Sequence, residues 1–219
     1  MKSKYLAEFL GTAFLFWAVV GSGIMGQNLN QNDAVTLLAN TFATVFALYF
    51  LITCLGDHSS HFNPVVSLVM RLRGEISTNT FFVFSILQIA GAILGVILAN
   101  YLFDLDPLQF SEKERSGTNL FVSEIAATFG LLLVILLSSK EKVAAAVAAY
   151  IGGAYWFTSS TSFANPAGTI GRSFSNTFAG ISPGDILHFC VAQLMGALLA
   201  LFIYNSFFKK PELSHKKMI

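Results

Sequence analysis

Six stretches of this sequence are nearly free of charge, and each is long enough to cross a membrane: 5–24, 35–55, 80–103, 120–137, 143–163 and 186–208, with 20, 21, 24, 18, 21 and 23 residues. A hydrocarbon layer ~30 Å thick takes roughly 20 helical residues per crossing. Together the stretches make up 127 of the 219 residues, yet of the chain's 25 charged side chains they hold only Glu8 and Glu124. A soluble domain carries roughly 25% charged residues to keep its surface wet; this chain has 11%. The pattern excludes an ordinary soluble globule and predicts a six-helix integral membrane protein. The first stretch follows Lys2 and Lys4 as a secretory leader would, but its length, its glutamate and the absence of a small-residue cleavage site make it a retained first helix.

Six crossings put both termini on one side, and basic residues mark the cytoplasmic side. The termini and the connections on their side hold Lys2, Lys4, Arg71, Arg73, Lys140, Lys142, Lys209, Lys210, Lys216 and Lys217, leaving only Lys113, Arg115 and Arg172 opposite. Both ends are therefore expected in the cytoplasm of a cell (inner) membrane, with the basic tail 209–219 as an orientation signal and anchor to anionic lipid. Cys54 and Cys190 both fall in spans and read as buried thiols. A net charge of +1 predicts no nucleic-acid partner. No constellation of catalytic residues stands out, so the expectation is no enzyme, no cofactor and no metal site.

Three strings recur in the same order in the two halves, as an internal duplication leaves them. Glu8-Phe-Leu-Gly-Thr12 matches Glu124-Ile-Ala-Ala-Thr128, Phe62-Asn63-Pro64 matches Ala164-Asn165-Pro166, and Gln88-Ile-Ala-Gly91-Ala-Ile-Leu-Gly95 matches Gln193-Leu-Met-Gly196-Ala-Leu-Leu-Ala200. Each half is one three-helix unit, repeat one over about 1–103 and repeat two over about 118–208, in a single domain spanning 1–219. Three is odd, so the second unit inserts upside down relative to the first. The small residues Gly91, Gly95, Gly196 and Ala200 sit at helical spacing and predict close helix–helix contact.

Between the second and third helices of each unit, 63–72 and 165–174 open on Asn-Pro. Asparagine is a favoured N-cap, and proline at the first helical position loses no hydrogen bond. Ten residues of helix rise about 15 Å, half the hydrocarbon thickness. Two half-helices then enter from opposite sides and meet N-terminus to N-terminus at mid-membrane, where non-helical backbone is tolerated only if it is buried in protein or lines a wet cavity. The predicted fold is an all-α membrane protein of six transmembrane helices plus two half-membrane re-entrant helices, arranged as two inverted repeats. The meeting helix dipoles and the amides of Asn63 and Asn165 favour a solute with acceptor oxygens and oppose cations. Glu8 and Glu124 are costly in hydrocarbon unless hydrogen-bonded, and their symmetric placement predicts that they accept N–H groups of the pore loops.

These residues resemble the aquaporin (major intrinsic protein) family over nearly the whole chain: the Ala7-Glu8-Phe9-Leu10-Gly11-Thr12 opening, His61-Phe62-Asn63-Pro64 in one loop and Asn165-Pro166-Ala167 in the other. The resemblance implies a passive channel for water and small neutral solutes, usually a homotetramer in the bilayer with one pore per subunit. Two positions depart from the family pattern. Val65 stands where the first motif usually has alanine, which leaves the cap and proline intact, and Gly168 stands where the family usually has a filter arginine after Ala167.

Counting from the motifs, the other outer-filter positions implied by the resemblance are Thr44 (or Ala43), Gly152 (or Gly153), and Thr161 or Ser162. Small residues at all of them predict a wide outer filter passing glycerol, urea or undissociated metalloid acids such as arsenous acid. Arg172, one turn beyond Gly168 on nearly the same face, is a candidate vestibule residue or a solvated loop charge. At the cytoplasmic mouth, His61 belongs to the family loop and His58 is a candidate pH gate. The rival reading is an inverted-repeat secondary transporter of a small solute.

Overall fold

The computed structural model describes residues 2–29 and 32–209. Lys210, Lys216 and Lys217 of the basic tail lie outside the described residues. Among the described residues eight α-helices follow one another: α1 Lys2–Leu29, α2 Asp33–Leu55, α3 Pro64–Leu72, α4 Thr78–Leu102, α5 Thr118–Leu137, α6 Val143–Phe157, α7 Pro166–Arg172 and α8 Ile186–Ile203, which continues as a π turn, Tyr204–Phe208. Five of the long elements are apolar enough and long enough to span a membrane, and α6 is a shorter apolar helix of the same set. At 1.5 Å per residue, the 28 residues of α1 reach about 42 Å and the 15 of α6 about 22 Å.

The fifth span is thus shorter than the expected 143–163. Thr158 is extended, and Thr161 and Ser162 have φ of 60° and 48°, which no right-handed helix accommodates. Residues 158–165 instead run inward as the loop that leads into α7. Both half-helices are capped as their sequences dictate. Asn63 and Asn165 are extended, their side chains accept hydrogen bonds from the first-turn N–H groups, and Pro64 and Pro166 open the helices.

The two repeats pack alike. α1 lies on α4 and α2, α5 lies on α8 and α6, and the equivalent helices α2 and α6 meet across the centre. The half-helices cross over: α7 packs on α4 of the first repeat and α3 on α8 of the second. Glycines bring α4 and α8 into backbone contact with their neighbours. A Cβ on Gly91 would lie 2.4 Å from the Phe9 carbonyl oxygen, one on Gly95 2.1 Å from that of Ala13, and one on Gly196 2.4 Å from that of Ile125. The outward faces carry exposed Phe, Leu and Ile side chains such as Phe46, Phe82, Ile86 and Leu187. That surface is suited to lipid.

On the side of the α4–α5 connection, residues 103–117 lie across the segment that follows α7. Ser111 N donates to Ser173 O at 2.9 Å, Ser182 N to Lys113 O at 2.7 Å, and Arg115 N to Asp185 Oδ2 at 2.6 Å. These bonds tie the strap to the C-terminal end of the second half-helix and the segment that follows it.

Candidate functional site

The N-termini of α3 and α7 meet at the centre of the bundle and are cross-linked reciprocally. Asn63 Nδ2 donates to Ala164 O at 2.7 Å, and Asn165 Nδ2 donates to Phe62 O at 2.8 Å. The same side chains cap their own helices through Oδ1, which accepts from Val65 N for Asn63, and from Ala167 N and Gly168 N for Asn165. Each amide nitrogen has two hydrogens, so one donor per asparagine remains for a passing molecule. The carbonyls they hold belong to Phe62 and Ala164, both in the left-handed region at φ 49° and 47°. A non-glycine residue keeps that conformation only where surrounding contacts fix it.

Those contacts come from a buried polar frame built twice. Glu8 accepts from His61 N at 2.8 Å, Phe62 N at 2.7 Å and Gln88 Nε2 at 2.7 Å, and also from Ser59 Oγ. Glu124 accepts from Phe163 N at 2.8 Å, Ala164 N at 2.9 Å and Gln193 Nε2 at 2.7 Å. Both carboxylates and both glutamines are fully buried. Gln88 goes on to donate to Ser67 Oγ in α3, and Gln193 to Thr169 Oγ1 in α7, each at 2.9 Å. Burial of a carboxylate is tolerable only with such partners. The glutamines, Ser67 and Thr169 were not singled out from the sequence, although both glutamines stand in the repeated strings.

A passage of about 150 Å³ runs past this centre. Its lining includes the loop residues Ser60, His61, Phe62, Asn63, Ser162, Phe163, Ala164 and Asn165, and apolar side chains such as Leu15, Val19, Leu48, Val66, Leu131 and Val147. His61 borders it, its Nδ1 3.0 Å from Ser67 Oγ. His58 is exposed and does not line it. Beside His58, Asp57 pairs with Lys140 at 3.0 Å across the α2–α3 and α5–α6 connections. The lysine holds the Asp57 carboxyl below its ordinary range.

Toward the strap, the residues around the passage differ from the expected set. Thr44 and Ser162 line it, whereas Gly152, Thr161 and Gly168 do not. A Cβ on Gly152 would lie 2.7 Å from Val45 Cγ2, so position 152 faces α2, and Ile151 and Tyr155 face the passage. A Cβ on Gly168 would lie 2.2 Å from Phe16 Cζ. The ring of Phe16, itself a lining residue, occupies the room a side chain at 168 would need. The wide, small-residue filter expected from Gly152 and Gly168 is therefore replaced by bulkier groups. Tyr155 OH donates to Thr44 Oγ1 at 3.2 Å, and Arg172, only 5% exposed, borders the passage with its guanidinium carbon 3.4 Å from the Phe163 ring centroid. Arg172 is buried, not a solvated loop charge. On the strap, burial and the neighbouring Arg115 and Arg172 charges pull Lys113 down to about 8.

A membrane-embedded bundle with two capped half-helices meeting beside a partly polar passage defines a transmembrane channel. Residues 1–159 match the family model for the major intrinsic protein. The chain is 50% identical over 202 residues to aquaglyceroporin AqpS of Rhizobium meliloti (strain 1021), covering 90% of this chain and 87% of that protein. It is also 26% identical to aquaporin TIP2-3 of Arabidopsis thaliana, covering 93% of this chain and 86% of the relative. The X-ray structure of the aquaglyceroporin from Plasmodium falciparum superimposes with a TM-score of 0.70 at 18% identity, covering 94% of this chain and 96% of that one, a likeness of fold. The chain belongs to the major intrinsic protein family; it is a passive channel for water and small solutes, not an enzyme.

Proposed function

We propose that the pore passes glycerol-sized neutral hydroxylic solutes as well as water, with urea and undissociated metalloid acids such as arsenous acid as further candidates. The observation that carries this reading is the central pair of asparagines. Each leaves one amide N–H beside a passage that apolar side chains also line. A polyol can turn its oxygens to the donors and its carbons to those apolar side chains, while a cation meets two helix N-termini. The 50% identity to a protein named an aquaglyceroporin supports the same solute class. Within this reading Asn63, Pro64, Val65, Asn165, Pro166 and Ala167 form the central constriction. Thr44 and Ser162 contribute to the outer one, Glu8 and Glu124 support the loops, and His61 lies at the inner mouth.

We place the chain as one domain of two inverted repeats in a cell membrane, both termini cytoplasmic, working as a homotetramer with one pore per subunit. The basic residues flanking the spans support the orientation. The test is stopped-flow light scattering of proteoliposomes, with water, glycerol and urea measured in one preparation against protein-free vesicles. Glycerol entry above the protein-free rate, rising linearly with the gradient, is expected. Glycerol exclusion with fast water flux would refute the solute class, and saturable uptake driven by a second gradient would establish the secondary transporter instead.

A further inference from the structure

The outer end of the passage carries a cation whose donors are not used up by the protein. Arg172 Nε donates to Ala179 O, but its two terminal nitrogens have no hydrogen-bond partner among the described residues, and the side chain borders the passage. Burying a guanidinium this way costs free energy unless something meets those donors, and the remaining candidates are the molecules in transit. Its flat face lies on the Phe163 ring, at 3.4 Å. The Phe163 ring is engaged on other sides as well. The Arg115 guanidinium carbon is 4.8 Å from its centroid, and Phe189 meets it at 5.0 Å with an interplanar angle of 70°. Arg115 belongs to the strap and is anchored there, its Nε donating to Gly180 O at 2.8 Å and its backbone N to Asp185 Oδ2.

We infer that Arg172 is the specificity-determining residue of the outer passage, and that Arg115 is a positioning residue which acts through the Phe163 ring. The inference rests on the channel reading above. Arg172 offers two N–H-bearing nitrogens to a solute oxygen in the passage that Tyr155 and Thr44 also line. Its fixed charge, held in a low-dielectric wall, opposes entry of cations. Arg115, which does not line the passage, holds Phe163 and through it the plane of the Arg172 guanidinium. Cation–ring contacts of this kind are strongest where the cation is desolvated. The orientation of the Arg172 guanidinium is thereby set by a strap residue more than fifty positions away in sequence.

The test uses full-length protein in proteoliposomes, as wild type, Arg172→Ala, Arg172→Lys, Arg115→Ala and Arg115→Lys. Potassium flux is read with a vesicle-entrapped dye, and glycerol and urea entry are read relative to water. Arg172→Ala is expected to raise potassium flux about tenfold or more through loss of one buried charge, and to raise the urea-to-water ratio. Arg172→Lys keeps the charge and is expected to exclude potassium while shifting the solute ratio, because a lysine lacks the planar pair of donors. Arg115→Ala is expected to move the solute ratio in the same direction by a smaller factor, with Arg115→Lys restoring it. A conducting wild type whose Arg172→Ala variant keeps potassium exclusion and the solute ratio overturns the inference, as does Arg172→Lys leaking as much as Arg172→Ala. If Arg172→Ala does not reconstitute, an unchanged solute ratio in Arg115→Ala overturns it. A wild type that conducts no solute overturns the channel reading instead.

Discussion

Replacing either buried carboxylate by glutamine keeps its shape and changes one acceptor oxygen into a donor, and the two positions differ in how many bonds that destroys. At Glu8, Oε1 accepts from Ser59 Oγ and His61 N, and Oε2 accepts from Phe62 N and Gln88 Nε2. Whichever way the new amide turns, two donors lose their acceptor. At Glu124, Oε1 accepts only from Phe163 N, whereas Oε2 accepts from Ala164 N and Gln193 Nε2. The amide can turn its nitrogen toward Phe163 and sacrifice one bond. Hydrogen bonds to a charged group contribute ~1.5–3 kcal/mol each, so Glu8→Gln is expected to cost ~3–6 kcal/mol and Glu124→Gln about half as much. Thermal unfolding of both variants in one detergent measures the difference. Equal losses, or a larger loss at Glu124, would refute the reasoning. The same variants separate a structural carboxylate from a proton carrier: a carrier would lose gradient-driven uptake on mutation to glutamine while keeping its thermal stability.

Gly168→Ala places a methyl against the Phe16 ring and is expected to destabilise by ~1–3 kcal/mol through overpacking. Phe16→Leu in the same chain should recover part of the loss, read as a coupling of ~0.5–3 kcal/mol in a double-mutant cycle; strictly additive effects would show that the two positions do not share space. Gly95→Ala meets the Ala13 carbonyl, which belongs to backbone and cannot swing aside. A sharp fall in folded yield is therefore expected on size-exclusion chromatography, whereas Gly184→Ala, whose nearest neighbour is Ser182 Oγ at 3.7 Å, should match wild type. Lys113, pulled down to about 8 by burial and by Arg115 and Arg172, is about half neutral at pH 8, against well under 1% for an ordinary lysine. Its folded-state pKa is depressed, so deprotonation favours the folded chain and stability rises with pH from about 8 toward the ordinary lysine value. An amine-reactive reagent at pH 8 should label Lys113 ahead of an ordinary surface lysine by mass spectrometry, and Arg172→Ala should slow that labelling.

The parts of the site that could be read from the sequence are those whose physics is local or repeated. Asn-Pro at 63–64 and 165–166 is an N-cap followed by an N1 proline, and the caps form as that chemistry requires. Glu8 and Glu124 were conspicuous because a charge in an apolar run needs a partner, and the duplication said that the partner would be the same twice. The rest was hidden because it depends on how helices are rotated against each other. Gly152 and Tyr155 lie on one helix within a single turn, and only the packing of α6 on α2 decides which of them faces the passage. Gly168 reads as an opening when taken alone; its space is filled by Phe16, more than 150 residues earlier in the chain. Arg172 looked like a loop charge because the ring that covers it, Phe163, and the carbonyl that holds it, Ala179, belong to other turns of the chain.

The reciprocal bonds between the half-helices bear on how the chain is assembled. The carbonyl of Phe62 takes its amide donor from Asn165, and Asn63 takes its backbone acceptor from Ala164. A ribosome delivers the first three crossings and the first re-entrant loop well before the second loop exists. During that interval the left-handed turn at Phe62 has Glu8 to hold its N–H but nothing from the other repeat to hold its carbonyl, and α3 lacks α8 to lean on. Unpaired polar backbone in hydrocarbon costs several kcal/mol per group. Each half taken alone therefore leaves polar groups of its loop without the partners that the other half supplies. Through the crossed asparagines, each loop is completed by a side chain from the other half of the chain.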